Sequence, residues 1–200
     1  MSACRGRIHQ VTFTRLVLFL GLAFHKLVWE FMKRAQPGSR PARVRPSSRW
    51  VRVVKAGKLT VLALLVVQTL FLDLFPINRR PGTMRVLGMV LYFLGLGTAV
   101  AGRLHLGKHW VDLEDSRVIQ GKSLVTAGVY RYLRHPIYGG DILLLTGLEL
   151  ALNSWLVLAV SVPLAVVTRQ VAKEEAMLSQ AFPGYREYRA RTRRFIPFVL

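Results

Sequence analysis

The chain has 200 residues, of which 52% are hydrophobic, and it carries a formal net charge of +19. This combination argues against an ordinary soluble domain and favours one small membrane domain whose cationic loops face an anionic leaflet. Nucleic-acid binding is the other usual meaning of a strong positive charge. Because the basic residues lie between long apolar runs, we expect no nucleic-acid partner. The single cysteine, Cys4, excludes a disulfide framework.

Residues 11–29 form the first and weakest candidate span, because Arg15, His25 and Lys26 interrupt it. The segment either crosses the bilayer or lies in its interface with the charged side chains reaching outward. Residues 33–58 then carry nine Lys or Arg and no acid, and the positive-inside rule places that loop in the cytoplasm. We therefore divide the chain into a basic N-terminal region, residues 1–58, and a membrane core, residues 59–200.

Four further apolar segments approach the length of about 20 residues that a bilayer core requires. They are residues 59–77, 86–101, 142–152 and 155–168. The second segment is rich in glycine, which suits close helix packing in lipid. Only Asn153 and Ser154 separate the last two, which predicts a tight helical hairpin. The fold class predicted is an all-α, polytopic integral membrane protein with four or five transmembrane helices.

A polar cluster directly precedes the segment 142–152. Residues 128–140 contain two arginines, one histidine and three tyrosines. Pro136 predicts a helix start at the membrane face, because proline is well tolerated at the first helical position. The free N–H groups of that turn form an anion site, to which Arg131, Arg134 and His135 add positive charge. The alternative interpretation is a set of juxtamembrane anchors and an aromatic belt.

Glu174 and Glu175 follow the last apolar segment, and a carboxylate at this position suits a cationic ligand. The alternative is a solvated helix end at which Lys173 and nearby arginines neutralise both acids. His105 and His109, spaced four apart, are the only pattern that suggests a metal, and without an H-E-x-x-H motif we predict no metal site.

Together these blocks resemble the isoprenylcysteine carboxyl methyltransferases and, more loosely, the related phospholipid methyltransferases. The resemblance covers roughly residues 84–200, and the order and spacing of its motifs make it specific. The matching groups are residues 122–130 (KSLVTAGVY), 134–140 (RHPIYGG), 174–178 (EEAML), 182–188 (FPGYREY) and 194–197 (RFIP).

The resemblance implies an integral membrane enzyme that uses S-adenosylmethionine in a pocket at the cytoplasmic face. The family's cofactor-binding positions correspond to Lys122, Ser123, Leu124, Val125, Tyr130, His135, Pro136, Ile137, Tyr138 and Glu174. The family pattern also has an arginine, associated with the substrate carboxylate, four residues before that glutamate. This chain has Gln170 there and Arg169 one position earlier, and we take these two as the candidate catalytic residues.

The leading functional hypothesis is therefore methylation of a lipophilic acceptor from the bilayer, most like the carboxylate of a prenylcysteine. A carboxylate is already nucleophilic, so alignment and desolvation would suffice and no general base is required. The alternatives are N-methylation of a phospholipid amine and a lipid-binding scaffold without enzymatic activity. The predicted location is a multi-pass membrane protein with its active site facing the cytoplasm.

Overall fold

The structure is a computed structural model that describes residues 2–35, 49–79, 81–107 and 123–195. Within these ranges the regular structure is helical, and two isolated bridges are the only pairing of β type. The α-helices are α1 (Ser2–Arg34), α2 (Arg49–Phe71), α3 (Gly82–Leu106), α4 (Pro136–Ala151), α5 (Ser161–Ala181) and α6 (Tyr185–Arg191). Two 3-10 helices, Gly128–Arg131 and Trp155–Val160, precede α4 and α5.

Helices α3 and α4 form the centre of the fold and lie antiparallel with their backbones in contact. Glycines make this approach possible, because a Cβ atom at any of them would collide with the backbone of the facing helix. The closest pairs are Gly88 with Ala151, Gly95 with Leu144, Gly140 with Ala99, and Gly147 with Tyr92. The predicted use of glycine for close packing in the segment 86–101 is therefore confirmed.

Helix α1 is joined to the end of α2 through polar contacts of Arg15. The Arg15 guanidinium donates to the carbonyl oxygens of Gln68, Thr69 and Leu72 at 3.1–3.2 Å, and so satisfies the free end of α2. It also pairs with Asp73 at 2.5 Å. Arg15, one of the residues that weaken 11–29 as a membrane span, therefore contributes to the packing of the helices.

A second polar contact joins α2 to α4. Gln68, one of the polar intrusions in the apolar segment 59–77, donates from Nε2 to the buried Glu149 carboxylate at 2.8 Å. Each group satisfies the other, which removes much of the cost of burying them among apolar side chains.

The predicted hairpin turn is present at Asn153, which adopts the left-handed conformation with φ 59°. Its amide donates to the Asn78 carbonyl at 2.8 Å and accepts from the Asn78 N–H at 3.1 Å. The two arms of the hairpin are not tightly packed, however. Helix α4 pairs with α3, because the glycines that permit close contact lie on those two helices.

Among the residues that the structure describes, two helical segments are long and apolar enough to cross a membrane, Gly82–Leu106 and Trp155–Ala181. Helix α4 has 16 residues and the apolar stretch Leu59–Phe71 is also short. At 1.5 Å per residue, α4 spans about 24 Å, less than a bilayer core of about 30 Å. The count of four or five spans stays a prediction.

Candidate cofactor site

The motif segments 134–140 and 174–178 meet at the start of α4. That helix begins at Pro136, with His135 as its N-cap. The chain leading into α4 pairs with a downstream segment: the Arg134 N–H donates to the Arg193 carbonyl at 2.7 Å, and the His135 N–H donates to the Arg194 carbonyl at 3.1 Å. The predicted helix start is confirmed. The pairing fixes residues 193–195 beneath the first turn of α4.

Glu175 binds the two blocks together. It is 3% exposed and accepts hydrogen bonds from Arg134 Nε at 2.8 Å and from Arg194 Nη2 at 2.7 Å. The other Arg134 donors reach the carbonyl oxygens of Arg189 and Thr192. The prediction that Arg134 adds positive charge to an anion site is therefore wrong, because its charge is used within the protein. Arginines neutralise Glu175, as the alternative interpretation expected, but Glu175 is buried within α5 and does not lie at a solvated helix end.

Glu174 has a different environment, although it is adjacent. Its side chain is 34% exposed, and its Oε2 accepts from the Tyr138 hydroxyl at 3.3 Å, a long hydrogen bond. His135 lies between the two acids: its Nδ1 is 4.0 Å from Glu174 Oε2, and its Nε2 is 3.4 Å from Glu175 Oε1. Glu174 thus presents a carboxylate with acceptor capacity to spare, next to two aromatic rings.

Tyr130 is a buried residue within electrostatic reach of this carboxylate. It is 6% exposed, and its backbone carbonyl accepts from the Tyr188 hydroxyl at 2.8 Å. Burial raises the pKa of the Tyr130 phenol well above its ordinary value, and the nearby Tyr188 and Glu174 act in the same direction, while Arg103 opposes them. The phenol therefore stays protonated at neutral pH. Tyr130 is also within electrostatic reach of both Glu174 and Arg103.

The other residues predicted to bind the cofactor differ in their exposure. Lys122 lies outside the described residues, Ser123 is exposed, and Leu124 and Val125 are half-buried. Pro136 and Ile137 are buried in the first turn of α4. Of the candidate catalytic pair, Gln170 is half-buried one turn before Glu174, whereas Arg169 is exposed.

Sequence reasoning missed a second group of polar and aromatic residues on the side of α4 that faces α1. His25 Nε2 is 3.1 Å from Asp141 Oδ1. The fully buried Arg103 places its guanidinium carbon 5.2 Å from the Trp29 ring centroid. The signal that would have found them is a charged residue at the edge of an apolar segment, since Asp141 directly precedes residues 142–152 and Arg103 closely follows residues 86–101.

Of the two histidines spaced for a metal, His105 lies within the described residues. His105 places Nδ1 2.7 Å from the Ala101 carbonyl oxygen, and its ring lies against Gly128. His109 lies outside the described residues. Within the part of the chain that the structure describes, no group of three or more His, Cys, Asp or Glu side chains lies together as a metal site would require.

Comparison with known proteins shows which proteins this chain is similar to. A cobalt-zinc-cadmium resistance protein, CzcN, of Cupriavidus metallidurans is 35% identical over 130 residues, which cover 62% of this chain and 56% of that protein. The chain therefore spans little more than half the length of this relative. A solved structure of a eukaryotic intramembrane Ras methyltransferase, isoprenylcysteine carboxyl methyltransferase, superposes with a TM-score of 0.60 at 19% identity. It covers 93% of this chain and 68% of that one, which shows a shared fold.

A family profile described as phospholipid methyltransferase matches residues 83–184, from α3 through the Glu pair to Gly184. The matched region contains the α3–α4 centre and both sides of the Tyr138–Glu174 contact. The resemblance inferred from the motifs is thereby confirmed. The family, the shared fold and the two apolar helices together support a membrane methyltransferase. The chain belongs to the phospholipid methyltransferase family.

Proposed function

We propose that this protein uses S-adenosylmethionine to methylate a lipophilic acceptor at the membrane face where Tyr138 and Glu174 meet. The observation that carries the proposal is the contact between these two side chains, which come from separate motif blocks 36 residues apart. Membership of a methyltransferase family and the fold shared with a membrane methyltransferase support it.

The residues around this contact fit the cofactor group by group. Glu174 suits the ammonium or a ribose hydroxyl, because a half-exposed carboxylate with one long hydrogen bond has free acceptor capacity. The rings of Tyr130 and Tyr138 suit the sulfonium by cation–π attraction. The first turn of α4 after Pro136 suits the carboxylate. The resemblance implies that residues 122–125 also contribute to cofactor binding. The bound cofactor supplies an electrophilic methyl group.

A prenylcysteine-type carboxylate is the acceptor that the motif resemblance favours, and it would enter sideways from the bilayer while the cofactor arrives from the cytoplasm. N-methylation of a phospholipid amine is the second candidate. Two observations favour it: the matched family profile, and Gln170 at the position where the carboxylate-binding arginine is expected. The exposed Arg169 is about 100° around the helix from Gln170, so it does not share the face that carries Glu174.

Calorimetric titration of the purified protein with S-adenosylmethionine tests the cofactor site. We expect binding by the wild type, and loss of binding in Glu174→Ala and Tyr138→Ala. Glu187→Ala is the matched control, because it removes an exposed carboxylate from α6 and should bind normally. A folded wild type that does not bind, or equal binding in both variants, would overturn the proposal and favour the lipid-binding scaffold.

The acceptor is tested separately with methyl-labelled cofactor and extracted membrane lipids. A methyl ester on a carboxylate is released by mild base, whereas an N-methyl group is not. Release of the label by base supports the carboxylate acceptor, and retention supports the amine.

A further inference from the structure

An ion pair between α1 and α4 has no place in the site described so far. His25 Nε2 lies 3.1 Å from Asp141 Oδ1, with side chains 22% and 37% exposed. Both atoms are shielded from solvent, and neither has a hydrogen-bond partner among the described residues. Holding a charged group between apolar helices is costly, so an ionisable pair at this depth points to a function.

The pair lies next to the proposed cofactor site. Asp141 is three residues after Tyr138 on α4, which places the two side chains on neighbouring parts of one helix face. On α1, Trp29 is one turn from His25, and the two rings stack with centroids 5.1 Å apart. Arg103 covers the Trp29 ring from α3 and is within electrostatic reach of Tyr130. The polar groups thus continue from Glu174 through Tyr138 and Asp141 to α1.

This side of the site is not included in any of the motifs. The family profile begins at residue 83, so it contains Asp141 but not His25 or Trp29. A carboxylate acceptor would need no base. An aliphatic amine, with a pKa of about 10, is protonated at neutral pH and has no lone pair until a base removes one proton. A histidine held by a carboxylate is the arrangement that performs this task.

Resting on the proposed methyltransferase function, we propose that His25, oriented by Asp141, is the general base for an amine acceptor. Asp141 Oδ1 faces Nε2 at 3.1 Å, so a proton held on that nitrogen leaves Nδ1 as the basic atom. The ammonium proton moves to Nδ1, and the freed nitrogen lone pair forms the new bond to the methyl carbon. The bond between that carbon and the donor sulfur breaks, and its electron pair stays on sulfur. Asp141 is a positioning residue. Among the described residues, Tyr138 is within electrostatic reach of Asp141, and Arg103 lies over the ring of Trp29, which stacks on His25.

The test uses the full chain in detergent, labelled cofactor and vesicles that contain phosphatidylethanolamine. His25→Gln keeps the size of the side chain and should bind the cofactor normally, but it should transfer methyl about 100- to 10,000-fold more slowly at pH 7. Because the amine must then deprotonate unaided, the rate of His25→Gln should rise about tenfold per pH unit towards the pKa of the amine. Added imidazole should restore transfer in His25→Ala. Asp141→Asn should show a smaller loss.

Lys26→Gln is the matched control, because it removes a cation that pairs with Glu30 on the exposed side of α1 and should leave transfer unchanged. A merely structural His25 would give variants with lowered melting temperatures and no response to imidazole or pH, and this would overturn the inference. A wild type that binds cofactor but does not methylate the amine lipid would overturn it too and leave the proposed function standing. A wild type that does not bind the cofactor would defeat the proposed function itself.

Discussion

Glu174 and Glu175 are adjacent, but replacement of each by glutamine should affect a different property of the protein. Glu175→Gln keeps the shape of the side chain but removes the charge that faces Arg134 and Arg194. Breaking a buried pair by neutralising one partner costs about 3–5 kcal/mol. The low end of that range applies here, because Arg194 is 34% exposed and Arg134 keeps its bonds to two carbonyl groups.

A loss of about 3 kcal/mol corresponds to a fall of roughly 6–12 °C in the melting temperature of a chain of this length. Thermal unfolding of the purified protein in detergent, without cofactor, measures it. Glu174→Gln is the matched control, and its melting temperature should stay near that of the wild type while its affinity for S-adenosylmethionine falls. Equal melting temperatures for Glu175→Gln and the wild type, or an equal drop in both variants, would refute the conclusion that Glu175 stabilises the fold while Glu174 binds the cofactor.

Two further predictions concern the packing of the helices. Gly95→Ala should destabilise the protein by about 3 kcal/mol, because the added Cβ would overlap the Leu144 backbone. Gly97 faces open space, so Gly97→Ala should stabilise the protein by up to about 1 kcal/mol. Thermal melts of the two variants test the α3–α4 contact, and a shift of the same sign in both would contradict it. Arg15→Met should lower the stability by about 2 kcal/mol through loss of the charged donor at the end of α2, and a melting temperature equal to that of the wild type would show that this contact contributes nothing.

The local features of the site could be predicted from the sequence because short-range rules determine them. Proline at a first helical position fixed the start of α4, and the carboxylate pair at the end of an apolar run was recognisable without coordinates. The division of labour between Glu174 and Glu175 was not predictable. It depends on Arg194, which lies 19 residues downstream and reaches Glu175 only through the pairing of the chain with residues 134–135.

Long-range partners account for the other differences. The hairpin prediction assumed that neighbours in sequence pack together, but glycines on α3 and α4 direct α4 to the earlier helix. His25 and Asp141 are 116 positions apart, and neither lies in a pattern that links it to the other. Gln68 and Glu149 each stand out as polar residues in apolar segments, yet only the fold shows that they satisfy one another.

The backbone contact between α3 and α4 has a consequence for motion. Two helices whose backbones touch at four glycines resist sliding or gradual separation, since a displacement breaks many close contacts at once. Helix α5, in contrast, touches α4 at few points and exposes most of its apolar surface. We therefore expect the apolar N-terminal half of α5 to be more mobile than the central pair, while the ion pairs of Glu175 hold its C-terminal half against Arg134 and Arg194.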